Sequence, residues 1–476
     1  MDFLKGHHKF TEELQNTLRR DQSALSLIPE STFPSHTMRH KAYPSLINSL
    51  NIKKLKNVLE LSKEERFIVV EPGMTMEELV DHTLPHGLIP PVVPEFKGIT
   101  VGGAINGAAL ESSSHIFGQF NDICLSYEVL LANGDVLTAS PTENKELFYA
   151  FSGSYGTLGC LLSVKIRLIL QSPWVKLQFK KFTSASLALD YLEHLHQTEL
   201  PAVMEAIVYP EKTMVIYGSP ISSDEASSLS KMTFSKFYDP WFYSHVDKEP
   251  KSDEAVPLRD YIFRHDRGAF WMAGYGFHPS MILRYLAHKA GTLFSFQDTP
   301  KWLQPQFCLP KNPSFLSRLF FGAFTGSGNL YKSLHRKSED WFQKYFVIQD
   351  FYLPKESSKR FIEHILTRYK ITPLWICPIQ ATSQEQLFSP HMLSNENLLF
   401  DIGVYGIPSK ASAKEVVIDL ERLTHELKGR KMFYCSSFLS PKQFWEIYKN
   451  QEQAYLGLRK KYAAENIPDI TQKVLH

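Results

Sequence analysis

Gly98-Ile-Thr-Val-Gly-Gly-Ala-Ile-Asn-Gly107 is a glycine-rich turn between two unlike neighbours. Upstream, Pro85 to Pro94 contains four prolines and cannot be helix interior. Further upstream, Phe67-Ile-Val-Val70 reads as a short buried strand closed by Glu71-Pro-Gly73. Thr75 then caps a helix with Glu77 and Glu78 in its first turn, where the helix dipole favours acids. Downstream, Tyr127 to Leu131, Asn133-Gly134 and Val136 to Thr138 form a hairpin signal, with Asn-Gly supplying positive φ angles. Thr142 is placed to cap a helix running to Phe151. Leu162, Val164, Ile166 and Leu168 alternate with Ser163, Lys165 and Arg167, which is strand period.

Beyond this stretch the element order changes. A strand near 175–180 precedes a helix near 184–197 and strands near 203–209 and 213–218. Later come a strand (346–353), a helix (355–369), strands (373–379 and 398–404), a helix (411–427) and a strand (431–435). These predict an α+β fold with an antiparallel sheet and a long insertion near 220–340. The insertion is rich in aromatics: Phe237-Tyr-Asp-Pro-Trp-Phe-Tyr243, Phe270-Trp271, Trp302 and Phe315 to Phe324. It suits a loop-rich core lobe, a lid over an apolar ligand, or a surface resting on a membrane. An amphipathic helix is expected over 11–20.

The 476 residues are 43% hydrophobic and 21% charged, which is globular composition. With 52 Lys+Arg against 50 Asp+Glu, no global field favours a nucleic acid. Five scattered cysteines contain no C-x-x-C, so neither a disulfide framework nor a zinc cluster is indicated, and the 18 histidines show no metal-ligand spacing. The first twenty residues lack the apolar core of a signal peptide. The most apolar window, Leu158 to Leu170, carries Lys165 and Arg167 and does not read as a membrane span. The expected location is cytoplasmic, with peripheral contact at a membrane surface. G-x-G-x-x-G, G-x-x-x-x-G-K-[ST], H-E-x-x-H and G-x-S-x-G are all missing, which argues against a Rossmann dinucleotide site, a P-loop NTPase, a zincin and an α/β-hydrolase.

The glycine turn Thr100 to Gly107 is either a tight connection or a place where consecutive peptide N–H groups hold a pyrophosphate without Lys or Arg. The order of elements around it is more specific. Glu71-Pro-Gly-Met-Thr-x-x-x-Leu79, the glycine turn, Gly118-x-x-x-Asp122, Val129-Leu-Leu-Ala-Asn-Gly134 and Leu147-Phe-Tyr-Ala-Phe-Ser-Gly-Ser-Tyr-Gly-Thr-Leu-Gly159 follow one another. This series resembles the PCMH-type (vanillyl-alcohol-oxidase-like) FAD-binding domain. A narrower resemblance lies in Glu111-Ser-Ser-Ser-His115, Pro141-Thr-Glu-Asn144, Lys236-Phe-Tyr-x-Pro-Trp-Phe242, Leu258-Arg-x-Tyr-x-x-Arg-His-x-Arg267, Val347-Ile-Gln-Asp350, Pro373-Leu-Trp-Ile-Cys-Pro378, Asp401-Ile-Gly-x-Tyr-Gly406 and Phe444-Trp-Glu446. These look like the delta-24 sterol reductases, and the likeness runs from about residue 35 to the C-terminus, including the substrate half.

The resemblance implies a PCMH-type FAD-binding domain over 1–172, in two parts of about 1–66 and 67–172. A substrate-binding α+β domain over 173–440 and a C-terminal helical segment over 441–476 would follow. It implies a flavoprotein oxidoreductase of sterol metabolism that saturates the side-chain C24=C25 bond, with noncovalent FAD and with NADPH as donor. An FAD-dependent oxidase or dehydrogenase of an alcohol or other lipid is the alternative, and a flavin- or sterol-binding module without turnover is a third reading. Expected cofactor contacts are His36, Thr37, Met38, Thr100, Val101, Gly102, Gly103, Asn106, Gly107, Glu111, Ser112, Ser113, His115, Gly118, Asp122 and Ile166. The superfamily's first phosphate loop is Gly-rich, whereas Ser35-His-Thr-Met-Arg39 has no Gly.

An isolated alkene has no electron sink, so its reduction needs an acid beside it in a dry pocket. Asp401 and Tyr405 are the preferred candidates, with His265 and Glu205 as others, and a buried carboxyl with a raised pKa would donate well. Arg259, Arg264 and Arg267 read either as NADPH-phosphate ligands or as a salt-bridged loop.

Overall fold

The computed structural model describes residues 2–20, 50, 52–277, 310, 312–337, 339–384, 386–392, 396–409 and 411–475. His36, Thr37 and Met38 lie outside the described residues. The chain divides into two compact units: Met1–Gln171 with Ile379–Leu399 and Arg430–His476, and Ser172–Pro378 with Phe400–Gly429. The expected division was contiguous; two late segments instead return to the first unit. Sequence order alone could not reveal that return, because it depends on packing between residues hundreds of positions apart.

In the first unit the strand order is Val58–Ser62, Phe67–Val70, Cys160–Arg167, Cys124–Leu130 and Val136–Ala139, with every neighbour antiparallel. The period-two reading of 162–168 holds: Leu162, Val164 and Ile166 are buried, Ser163 and Lys165 partly open, and Arg167 exposed. The helix Asp2–Arg20 is longer than expected and lays Leu14 and Leu18 on a core shared with Leu130, Leu162 and Ile467. Thr75 closes a capping box with Glu78 at the start of the helix Met76–Thr83. Two local expectations change. Gly134 takes φ +87°, but Asn133 is not among the positive-φ residues, so the turn needs one left-handed residue rather than two. The helix after it runs over Lys145–Ala150 with Asn144 as its cap; Thr142 instead bonds to Ser140 in a turn.

In the second unit the strands run in the order Glu254–Pro257, Trp174–Phe182, Thr213–Ile221, Val203–Val208, Leu374–Gln380, Leu398–Gly406 and Val347–Pro354. The helices Ala185–Thr198, Lys355–His364 and Ala413–Glu426 accompany them. This is the α+β arrangement expected. The strand predicted over 431–435 is only Arg430–Lys431. No helix among the described residues is long and apolar enough to cross a membrane.

Candidate functional site

The glycine turn of the first unit folds as the short helix Val101–Asn106, capped by the Thr100 hydroxyl accepting from Gly103 N–H. Gly102 is required by packing: a Cβ there would lie 2.9 Å from Pro72 Cβ and 3.2 Å from the Pro72 carbonyl oxygen. The turn's N–H groups are already used. Val101 N–H donates to Met74 O, Gly102 N–H to Pro72 O and Gly103 N–H to Thr100 Oγ1. This corrects the reading of consecutive free amides as a pyrophosphate cradle. What the turn leaves open is a side-chain-free face, with Gly103 exposed and Gly102 and Gly107 partly so.

Asn106 clamps this helix to the motif that follows. Its amide nitrogen donates to Gly102 O, and its side-chain oxygen accepts from Ser154 Oγ (3.2 Å) and Gly156 N–H (2.8 Å). Beside Ser154, the Ser152 hydroxyl is 1% exposed and finds no partner among the described residues.

The polar turn after the helix is largely buried. Glu111 accepts from both the amide and hydroxyl of Ser112, and Ser113 Oγ donates to Pro91 O. These two serine hydroxyls point into the protein rather than being held in reserve for a ligand. His115 is fully buried, with Nδ1 bonded to Ser112 O at 2.9 Å. Gly118 has φ +74°, and a Cβ on it would meet Asp122 Oδ2 at 2.3 Å. The Gly-x-x-x-Asp spacing is therefore steric. Asp122 accepts from Gln119 N–H, His391 Nε2 (2.8 Å) and Gln386 Nε2 (2.6 Å). Burial pushes its carboxyl up, but His391 and these donors outweigh that and hold it below its ordinary value. Phe117, Gly118, Asn121, Asp122, Tyr149, Gln386 and His391 line a cavity of about 370 Å³. Gln386 and His391 were missed in the sequence because no local spacing links them to a turn some 265 residues earlier. Ile166 sits inside the sheet between Ile68 and Cys124, beside a register shift.

In the second unit, Glu205 is fully buried and accepts from Arg264 Nε (2.8 Å), His265 Nε2 (2.9 Å) and Trp375 Nε1 (2.7 Å). Burial raises its pKa, yet Arg264 and His265 prevail and hold it far below the carboxylate range. The expectation of a raised pKa is thus reversed, and Glu205 is an ion rather than a stored acid. Burial lowers His265 to about 4, with Glu205 opposing and Arg264 assisting. A neutral His265 that donates from Nε2 has a bare Nδ1, which is buried without a partner among the described residues. It is therefore an acceptor at neutral pH, not the proton donor considered for it. The phosphate reading also fails at two of the three arginines. Arg264 is sealed against Glu205, and Arg267 gives its guanidinium to the carbonyls of Phe237 and Asp239. Arg259 is half-buried near Phe263.

Asp401 and Tyr405 lie on the strand Leu398–Gly406, both buried. Tyr405 donates to Asp350 Oδ1 at 2.6 Å. Gly403 makes room for this pair: a Cβ would sit 2.6 Å from Tyr405 Oη and 3.0 Å from Asp350 Oδ1. Phe270 lies 5.1 Å from the Tyr405 ring and 4.2 Å from His265, and Trp271 Nε1 donates to the Tyr405 carbonyl. Tyr405, His265 and, through Trp375, Glu205 thus share one aromatic cluster.

A family profile described as an FAD binding domain matches residues 41–140. The Homo sapiens Delta(24)-sterol reductase is 30% identical over 432 residues, covering 88% of this chain and 76% of that protein. The chain belongs to the Delta(24)-sterol reductase family. The Arabidopsis thaliana Delta(24)-sterol reductase is 29% identical over 447 residues, 87% of this chain and 74% of its own. A decaprenylphosphoryl-beta-D-ribose oxidase of Mycolicibacterium smegmatis is 32% identical over only 120 residues, 25% of this chain. For a member of the Delta(24)-sterol reductase family, the first unit's features fit FAD. The glycine turn presents a smooth face, and the Ser152 hydroxyl in the adjoining motif is a buried donor unpaired among the described residues.

Proposed function

We propose that this chain reduces the side-chain C24=C25 bond of a sterol, using noncovalently bound FAD and NADPH as electron donor. The observation that carries the reading is the 30% identity over 88% of the chain, which takes in far more than the 41–140 flavin match. The oxidase likeness, confined to a quarter of the chain, gives no comparable support to oxidation of an alcohol.

Bound FAD, once reduced, supplies hydride chemistry. The chain's own part is to hold FAD, exclude water and place a proton. We assign holding to the face of Gly102, Gly103 and Gly107, to Ser152 and to His115, with Asn106 bracing them. His36, Thr37 and Met38 remain proposed contacts. We place the transferable proton on the hydrogen-bonded Tyr405 Oη–Asp350 Oδ1 pair, with Asp401 on the same strand as Tyr405. Protonation at C24 builds tertiary cationic character at C25, which a low-polarity aromatic surround leaves no water to quench. The ionised Glu205 and Arg264 order Trp375 and His265 behind Phe270 and do not themselves deliver the proton. The substrate would be membrane-resident, so the reading includes peripheral contact with a bilayer.

The test is an anaerobic absorbance spectrum of purified protein, followed by NADPH and then desmosterol. The flavin band should bleach with NADPH and return with the sterol as its Δ24 bond is saturated. A reduced band that desmosterol leaves unchanged, but oxygen restores at once, would favour an oxidase.

A further inference from the structure

The described part of the insertion carries an apolar platform at its surface. The helix Phe315–Phe321 and the turn after it expose Phe315 (57%), Leu316 (63%), Phe320 (69%) and Phe324 (71%), and the neighbouring turn exposes Phe237 (44%) and Tyr238 (38%). Single exposed apolar residues are ordinary, but a cluster of large ones is not.

The platform is held rigidly from beneath. The nearly buried Arg267 donates to the carbonyls of Phe237 and Asp239, and Lys236 N–H closes the turn onto Asp239 Oδ2. Arg318 Nε donates to Tyr238 O at 2.9 Å. At Gly322 a Cβ would fall 1.9 Å from the Phe237 carbonyl oxygen, so the helix end lies directly on the aromatic turn. The buried Arg267 thus holds the backbone of the turn that carries Phe237 and Tyr238.

The charge of the segment identifies what covers it. Residues 312–337 contain Arg318, Lys332, Arg336 and Lys337 and no Asp or Glu, with Glu339 and Asp340 following in the next helix. Lys332, Arg336 and Lys337 are exposed, as is Lys236 beside Phe237. Aromatic and aliphatic side chains with a local excess of cations match the interface of an anionic bilayer, where rings enter the acyl boundary and cations meet lipid phosphates.

We propose that this platform docks the protein peripherally on an anionic lipid bilayer, with Phe320 and Phe324 as the inserting residues. The proposal takes from the preceding reading only that the substrate is membrane-resident; the surface is argued from its own residues.

The test is co-sedimentation of the purified flavoprotein with sterol-free vesicles of phosphatidylcholine, with and without phosphatidylserine. Wild type should bind, more strongly with phosphatidylserine and less at high salt. Phe320→Glu with Phe324→Glu should lower the partition coefficient roughly tenfold or more, as two apolar anchors become anions. Arg336→Glu with Lys337→Glu should abolish the phosphatidylserine preference. Unchanged flavin absorbance and melting temperature show that each variant is folded. Failure of wild type to bind either vesicle, or equal binding by the Phe320/Phe324 variant, overturns the proposal. So does a variant that changes only the oligomeric state on gel filtration, because the platform would then be covered by a second copy. The vesicles hold no sterol, so docking can succeed while sterol reduction fails, or the reverse.

Discussion

Tyr405 Oη and Asp350 Oδ1 stand 2.6 Å apart on buried strands that neighbour each other in the sheet. Gly403 keeps the space they occupy, because any Cβ there would strike both. If this pair holds the proton for the alkene, Tyr405→Phe should lower sterol turnover by roughly 100-fold or more at unchanged flavin content. Asp350→Asn keeps the shape but changes the phenol's partner, so it should act mainly on kcat and displace the pH profile. Gly403→Ala should combine both losses. The check is product formation by mass spectrometry beside stopped-flow bleaching by NADPH, which should stay near wild type in Tyr405→Phe.

The Glu205 cluster predicts a stability signature rather than a chemical one. Arg264→Met leaves an uncompensated buried carboxylate and should cost about 3 to 5 kcal/mol. The pH dependence has a fixed sign. His265 falls from 6.5 to about 4 on folding, and Glu205 falls below its ordinary 4.5. Both contributions are complete above the unfolded values. Stability should therefore decline as pH drops from 6.5 toward 4, through His265, and continue to decline below that through Glu205. Urea unfolding across this range checks it, and Glu205→Gln should flatten the lower part.

Local periodicity made much of this legible. Alternation at Leu162, Val164 and Ile166 located a sheet strand, and Thr75 with Glu78 located a helix start, because both signals depend on near neighbours. The glycine turn is visible in the sequence, but the pairing of its N–H groups is not: their partners, Met74 and Pro72, come from an approach that spacing does not encode. Glu205 shows the same limit. An acid in an apolar strand suggested a raised pKa, while its sign was decided by Arg264, 59 residues away. His391 and Gln386 stayed invisible for the same reason.

His7 bridges two carboxylates in the first unit, with Nδ1 on Glu71 and Nε2 on Glu128, both at 2.8 Å. His8 packs against its ring, and Ser163 also donates to Glu128. Burial alone would lower His7; the bonds to Glu128 and Glu71 outweigh it and raise it from 6.5 to about 9. This contribution is full below 6.5 and is lost as pH rises through about 9. Thermal unfolding should show a falling melting temperature over that interval. His7→Leu should remove the fall and destabilise the protein by about 1 to 3 kcal/mol at neutral pH, since Glu71 loses a buried partner. Protease sensitivity of the helix Asp2–Arg20 should rise in the same variant.

Asn106 joins the glycine turn to the Ser154–Gly156 motif about fifty residues later, donating to Gly102 O and accepting from Ser154 and Gly156. No other residue type of this size offers both a donor and an acceptor there. Asn106→Ala should strand the Gly156 N–H and cost about 1 to 3 kcal/mol. Because the same bonds set the face beside the orphaned Ser152 hydroxyl, flavin retention should fall with stability. Asn106→Asp keeps the acceptor and loses only the donor to Gly102, so its flavin-to-protein absorbance ratio after gel filtration should lie between wild type and Asn106→Ala. Full flavin retention in Asn106→Ala, at reduced melting temperature, would separate the clamp from the cofactor and leave it a role in folding alone.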